Sequence, residues 1–167
     1  MDTDAKVARI LGCIIDPENG KLVAFKVMPS ILSYKIISPS DIVGIQPDFI
    51  AIAKESAVVK PEEILNVKKI IDAGIPVLGN WVRTKDKEWL GKVEDLIINS
   101  ETLTIEKLYV KGLAIGIQAK PFLGTFKENR ILDYKDVVSI KKDAITVKSE
   151  PEVKEKVEEK VTEPELA

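Results

Sequence analysis

Asp41-Ile42-Val43-Gly44-Ile45-Gln46-Pro47-Asp48-Phe49-Ile50-Ala51-Ile52 is met again, 95 positions on, as Asp136-Val137-Val138-Ser139-Ile140-Lys141-Lys142-Asp143-Ala144-Ile145-Thr146-Val147. Asp41 falls on Asp136, Ile45 on Ile140, Asp48 on Asp143, Ile50 on Ile145 and Ile52 on Val147. Upstream, a second block repeats at a shift of 83: Ile14-Ile15-Asp16 falls on Ile97-Ile98-Asn99, and Leu22, Phe25 and Val27 fall on Ile105, Leu108 and Val110. The shift grows from 83 to 95, so the second copy carries 12 extra residues between its two blocks. Self-similarity of this kind marks an architecture made from one unit used twice. Residues that recur in both copies are first of all parts of the fold.

The 167 residues are enough for two small units, each near the size at which a single core is only marginally stable. A hydrophobic content of 45%, spread over short β-branched runs, belongs to a globular chain and not to a disordered one. No apolar run reaches the length of a membrane span, and the N-terminus lacks the basic-then-apolar layout of a signal peptide. The single cysteine, Cys13, excludes an intrachain disulfide and a thiolate metal cluster. These features lead to the expectation of a cytoplasmic protein. Residues 149–167 hold seven acidic residues against three lysines; taken from totals of 27 and 25, this leaves 20 acidic and 22 basic residues in the body. A body so close to neutral lacks the basic footprint of a nucleic-acid binder, so direct RNA or DNA binding is not expected.

Local signals place the elements. Ile10 to Ile15, the turn Asp16-Pro17-Glu18-Asn19-Gly20, and Lys21 to Val27 read as a β-hairpin, with Gly20 free to take a left-handed position. Ser38-Pro39-Ser40-Asp41 reads as a capped helical turn, matched by Asp133-Tyr134-Lys135-Asp136. Lys60 to Gly74 reads as one helix: Pro61 and two acids open it, Gly74 caps it, and Ile64, Val67, Ile70 and Ile71 form its apolar face. It is expected to pack across the junction of the copies. From Pro76 the second copy begins with a hairpin, Gly79 to Arg83 and Trp89 to Val93. Lys111 to Lys127 carries the insertion and has no assignment. The chain therefore divides into a first repeat at 1–58, a linker helix at 59–75, a second repeat at 76–149 and an acidic flexible tail at 150–167.

One strand lacks a counterpart. The shift of 83 sets Met1 opposite Thr84 and Val7 opposite Leu90, so nothing matches Gly79 to Arg83 in the first copy. An unpaired sheet edge is a liability, and the expectation is a native chain that starts upstream of Met1.

Leu90-Gly91-Lys92-Val93-Glu94-Asp95-Leu96-Ile97-Ile98, Asp16-Pro17-Glu18-Asn19-Gly20-Lys21-Leu22-Val23 and the closing Asp-x-Ile-x-Val strands together resemble the PRC-barrel family, named after the photosynthetic reaction-centre H subunit. The resemblance covers roughly residues 5–53 and 77–148, in tandem. It implies a mainly all-β fold of two small PRC-type β-barrels joined by a short α-helix. It also implies an interaction or assembly module without catalytic residues. The second copy departs from the pattern at Leu103, where the hairpin glycine is expected, which puts its turn type in question.

Chemistry-bearing constellations are sparse. No histidine occurs, which removes the commonest general base and metal ligand. Asp41 and Asp136 read as turn caps, and Asp16, Glu18 and Asn19 lack the further ligands of a calcium loop. Cys13 stands where the other copy has Leu96 and reads as an apolar substitute. Gly112 and Gly116 lack the strand–loop–helix setting of a phosphate loop. No catalytic, cofactor or metal site is expected.

Trp89 stands apart. A hairpin turning between Thr84 and Lys87 pairs Trp81 with Leu90 and Val82 with Trp89, which sends the two tryptophans to opposite faces. The repeat gives Leu90 the apolar counterpart Val7 but gives Trp89 the counterpart Lys6. Trp81 is therefore expected in the core and Trp89 outside, where with Lys87 and Lys85 it forms a candidate protein interface. The function expected is a non-enzymatic scaffold or adaptor binding a protein partner or a second copy of itself. The alternative is a factor in RNA metabolism or ribosome assembly, acting through a ribosomal or RNA-bound partner.

Overall fold

Thirteen strands, one α-helix and four single 3-10 turns make up the described part of the chain, which in this computed structural model comprises residues 6–30, 33–112, 114–115, 125–126 and 129–149. Most of the insertion and the whole acidic tail lie outside the described residues. In chain order the elements are β1 (Arg9–Asp16), β2 (Lys21–Ser30), β3 (Ser33–Ile37), β4 (Ile42–Ile45), β5 (Ile50–Ile52), α1 (Leu65–Ala73), β6 (Trp81–Thr84), β7 (Trp89–Ile98), β8 (Ile105–Gly112), β9 (Ala114–Ile115), β10 (Thr125–Phe126), β11 (Arg130–Asp133), β12 (Val137–Ile140) and β13 (Ile145–Val147). The protein is mainly β. The strands form four open sheets, ordered β1-β2-β3, β4-β5, β9-β10 and β11-β8-β7-β6-β13-β12.

The hairpins β1–β2 and β7–β8, equivalent in the two copies, turn on one device. The Gly20 N–H donates to the Asp16 carbonyl at 2.8 Å, and the Leu103 N–H donates to the Asn99 carbonyl at 2.9 Å. Gly20 has φ 69° and Leu103 has φ 58°. The second copy thus keeps the turn that glycine makes in the first, with a leucine bearing the left-handed backbone at a cost of roughly 1–2 kcal/mol. Asp16 holds its turn by accepting the Glu18 N–H at 2.9 Å, and Asn99 does the same for Glu101 and Thr102, both at 2.9 Å. Equivalent atoms of the two turns also meet: the Leu22 N–H donates to the Leu103 carbonyl at 2.7 Å, and the Ile105 N–H to the Gly20 carbonyl at 3.0 Å.

The chain divides into two compact units. Among the described residues, the first takes in those up to Val77 together with Ile98–Ile105 and Ile140–Lys142, and the second takes in those of Leu78–Ile97 and Glu106–Ser139 and those from Asp143 to Ser149. In the first unit, α1 lays Val67 on Ala24 and Ile36, with Ile64 and Ile71 alongside. A second cluster gathers Val27, Ile37 and Val58, with Val7, Ala8, Ile42 and Ile52 packed against it. The expected helix from Lys60 to Gly74 is broken. Pro61–Glu63 forms a tight 3-10 turn closed by the Ile64 N–H on the Pro61 carbonyl at 3.2 Å, and Ile64 is extended (φ −119°, ψ 97°) before α1 begins. The Lys60 N–H donates to Glu63 Oε1 at 2.8 Å, a capping-box contact that closes the start of this turn. Gly74 caps α1 in the left-handed conformation, as its position in the sequence requires. On α1, Lys68 donates to Asp72 one turn ahead; that hydrogen bond and the carboxylate's charge hold the ammonium above the usual lysine range.

The second unit is built on the six-stranded sheet. β6 runs antiparallel to β7 on one side and parallel to β13 on the other, with Val82 opposite both Gly91 and Ile145. Val82, Leu90, Leu108, Leu132, Ile145 and Val147 are fully buried on its inner face. The expected 3-10 turn Tyr134–Asp136 delivers Asp136 into the core rim, where Lys148 Nζ reaches its Oδ1 at 3.0 Å.

Candidate functional site

The β6–β7 hairpin carries the candidate residues. Its turn follows from two hydrogen bonds: Lys87 N–H to the Thr84 carbonyl at 3.0 Å, and Thr84 N–H to the Glu88 carbonyl at 2.9 Å. Lys85, Asp86 and Lys87 form the loop, and Lys87 takes φ 67°. This is a three-residue hairpin whose left-handed position, normally glycine, is filled by an exposed lysine. Lys87→Gly is expected to raise stability by about 1 kcal/mol, read as a higher urea midpoint, because glycine removes the left-handed penalty without giving up a buried contact. A lower midpoint would show that the lysine stem is held by packing.

The strand register differs from the expected one and moves a tryptophan. Trp81 lies opposite Lys92, Val82 opposite Gly91 and Arg83 opposite Trp89, with a bulge that leaves Leu90 without an opposite residue. Leu90 enters the core at 0% exposure, and the extra residue reverses the facing of everything before it on β7. Trp81 and Trp89 therefore share the outer face, at 37% and 42% exposure, instead of dividing between core and surface. Trp89 is outward as expected. Trp81 is corrected from core to surface.

The outer face is a small aromatic–cationic array. The two indoles meet edge to face, ring centroids 6.1 Å apart and planes at 73°. The Arg83 guanidinium lies 5.6 Å from the Trp89 ring centre, and the Lys92 ammonium 4.4 Å from that of Trp81. Each such contact contributes about 0.5–1 kcal/mol at an exposed site. Arg83 also reaches Asp143 at 3.7 Å, and Lys111 reaches Glu94 at 3.3 Å. Lys85 is tied by its backbone, its N–H donating to the Val147 carbonyl at 2.9 Å, while its side chain is exposed. Lys85 and Lys87 thus sit at the end of the hairpin that carries Trp89. Arg83 and Lys92, which carry no expectation from sequence, complete the face together with Trp81, which the sequence places in the core. The alternation of Trp81, Arg83 and then Lys92 with cationic and aromatic side chains was the available signal.

This array offers the chemistry of binding. Indoles and cations offer flat apolar area and charge-assisted contacts, the chemistry of interface anchors. Among the described residues, no three cysteine, aspartate or glutamate side chains converge as a metal site would require. Among them also, no helix is long and apolar enough to cross a membrane. Cys13 lies on β1 opposite Phe25, half-buried. Compared with known proteins, the chain matches no protein-family model and no curated protein.

Proposed function

We propose that the chain is a non-enzymatic scaffold or adaptor of the PRC-barrel type, two small β-barrels in tandem, that binds a protein partner in the cytoplasm through the outer face of the β6–β7 hairpin. The observation that carries this reading is the Trp81–Trp89 pair, two large indoles left more than one-third exposed and backed by Arg83 and Lys92. Tryptophan and arginine are the residues most enriched among those that dominate interface energy. The repeated turn and strand pattern supports the tandem-barrel part of the reading.

The test is capture of a partner from native extract by the full chain and by a Trp81→Ala/Trp89→Ala variant. Hot-spot losses of about 2 kcal/mol each correspond to roughly 30-fold weaker capture per residue. Both rings lie on the surface, so the melting temperature of the variant is expected to stay within a few degrees of the parent. Equal capture by both proteins would remove this face from the function. Capture that falls steeply with salt and is abolished by ribonuclease would transfer the reading to an RNA-bound partner.

A further inference from the structure

The chain holds two tryptophans, Trp81 and Trp89, and both stand on the outer face of the β6–β7 hairpin. Whatever covers this face covers every indole the protein has. From Trp81 to Lys92 the hairpin carries four cations, Arg83, Lys85, Lys87 and Lys92, against two carboxylates, Asp86 and Glu88. All of these are exposed except Arg83, which is half-buried and met by Asp143 at 3.7 Å. The face thus joins flat apolar area to a surplus of positive charge. The segment that fits it is acidic, with apolar residues at intervals.

One segment of that composition starts beside the face. β13 runs parallel to β6 with Val147 opposite Thr84, and the Lys85 N–H donates to the Val147 carbonyl at 2.9 Å. The chain therefore leaves β13 at the end of the hairpin where Lys85 and Lys87 sit. From Glu150 onward it carries seven glutamates against three lysines. Val153, Val157 and Val161 fall four apart among these charges, the spacing that lines one side of a helix. Trp81 is three residues along β6 from Thr84, about 10 Å. The stretch from Glu150 to Val161 covers that distance with ease, reaching about 40 Å extended and about 18 Å wound as a helix. Tethered so close, it meets the face at an effective concentration on the order of millimolar, which a second copy or another protein must match from solution.

We propose that the segment from Glu150 docks in cis on the Trp81–Trp89 face and shields it until a partner displaces it. Its valines lie against the indoles and its glutamates toward Lys85, Lys87 and Lys92. The proposal rests on the reading of this face as the partner-binding surface and deepens it. A partner that competes for the same groups presents the same chemistry, an acidic segment with spaced apolar residues. Charged contacts at so exposed a face weaken with salt, and the tether makes the docking independent of protein concentration.

The experiment follows acrylamide quenching of tryptophan fluorescence in the full chain, a signal that comes from this face alone. Two full-chain variants are compared with the parent: Glu155→Gln/Glu158→Gln/Glu159→Gln, and Val153→Asp/Val157→Asp. Each is expected to raise the quenching constant about two-fold or more as the shielded population is released, with an unchanged melting temperature. Sodium chloride at about 1 M is expected to produce the same rise in the parent, an arm that needs no substitution. The parent value is expected to hold from about 1 to 100 μM protein, as a tethered contact requires. Quenching that is equal in parent and variants and unmoved by salt overturns the proposal. So does a parent value that falls as protein concentration rises, which makes a second copy's segment the occupant. No partner enters this measurement, so docking and partner capture can each fail while the other stands.

Discussion

Gly91→Val is expected to unfold the second unit, and Gly91→Ala to come close to it. A Cβ placed on Gly91 would lie 1.9 Å from the Lys111 carbonyl oxygen, 2.8 Å from its carbon and 3.1 Å from Val110 Cγ1. The obstruction is backbone, and β8 cannot retreat because it is paired with β7 on one side and β11 on the other. Gly91 also has φ 152°, a conformation that side chains rarely adopt. Together these place the cost at about 4 kcal/mol or more, a large share of the 5–15 kcal/mol that holds a typical domain folded. Gly12 separates the two causes. It has φ 157° but nothing within 4 Å of a built Cβ, so Gly12→Ala carries the torsional penalty without the clash. Urea unfolding followed by circular dichroism and tryptophan fluorescence is expected to show a loss of about 1–2 kcal/mol for Gly12→Ala and at least twice that for Gly91→Ala. Equal losses would mean that the close approach of β8 does not exist.

Ile145→Ala and its repeat counterpart Ile50→Ala are expected to part company in the same way. Ile145 is fully buried in β13 between β6 and β12, and deleting its outer carbons leaves a cavity costing about 3–4 kcal/mol. Ile50 is half-buried at the end of a two-stranded sheet, and its truncation is expected to cost about 1 kcal/mol or less. Identical residues at identical places in the repeat thus report whether a strand covers them. Matching costs in the free chain would show that the edge beside β5 is already covered.

The outcome for the two tryptophans shows where sequence reading stops. Strict alternation sends Trp81 and Trp89 to opposite faces, and Trp89 outward is where it is found. One inserted residue, Leu90, puts Trp81 beside it. Period-two patterning carries no mark of a bulge in a strand whose neighbours, Trp89, Leu90 and Gly91, are all apolar or lack a side chain. The helix shows the same limit on a smaller scale: its cap at Gly74 and its buried Val67 follow from spacing, while the break at Ile64 depends on a 3-10 turn competing for the same carbonyls.

From sequence alone came the doubling, the turns at Asp16 and Asn99, and the helical turns before β4 and β12, of which only the first is capped by a side chain, that of Ser38. Each rests on interactions within a few residues, or on a comparison of the chain with itself. Only the tertiary structure decided that Leu103 accepts a left-handed backbone, that Gly91 is needed to admit the Lys111 carbonyl, and that the two tryptophans form one face with Arg83 and Lys92. It also showed that Ile10 and Ile45 are uncovered where their counterparts are buried. These depend on which backbone lies across the sheet at a given point, and pairing between distant strands is set by the packed whole and not by the local chain.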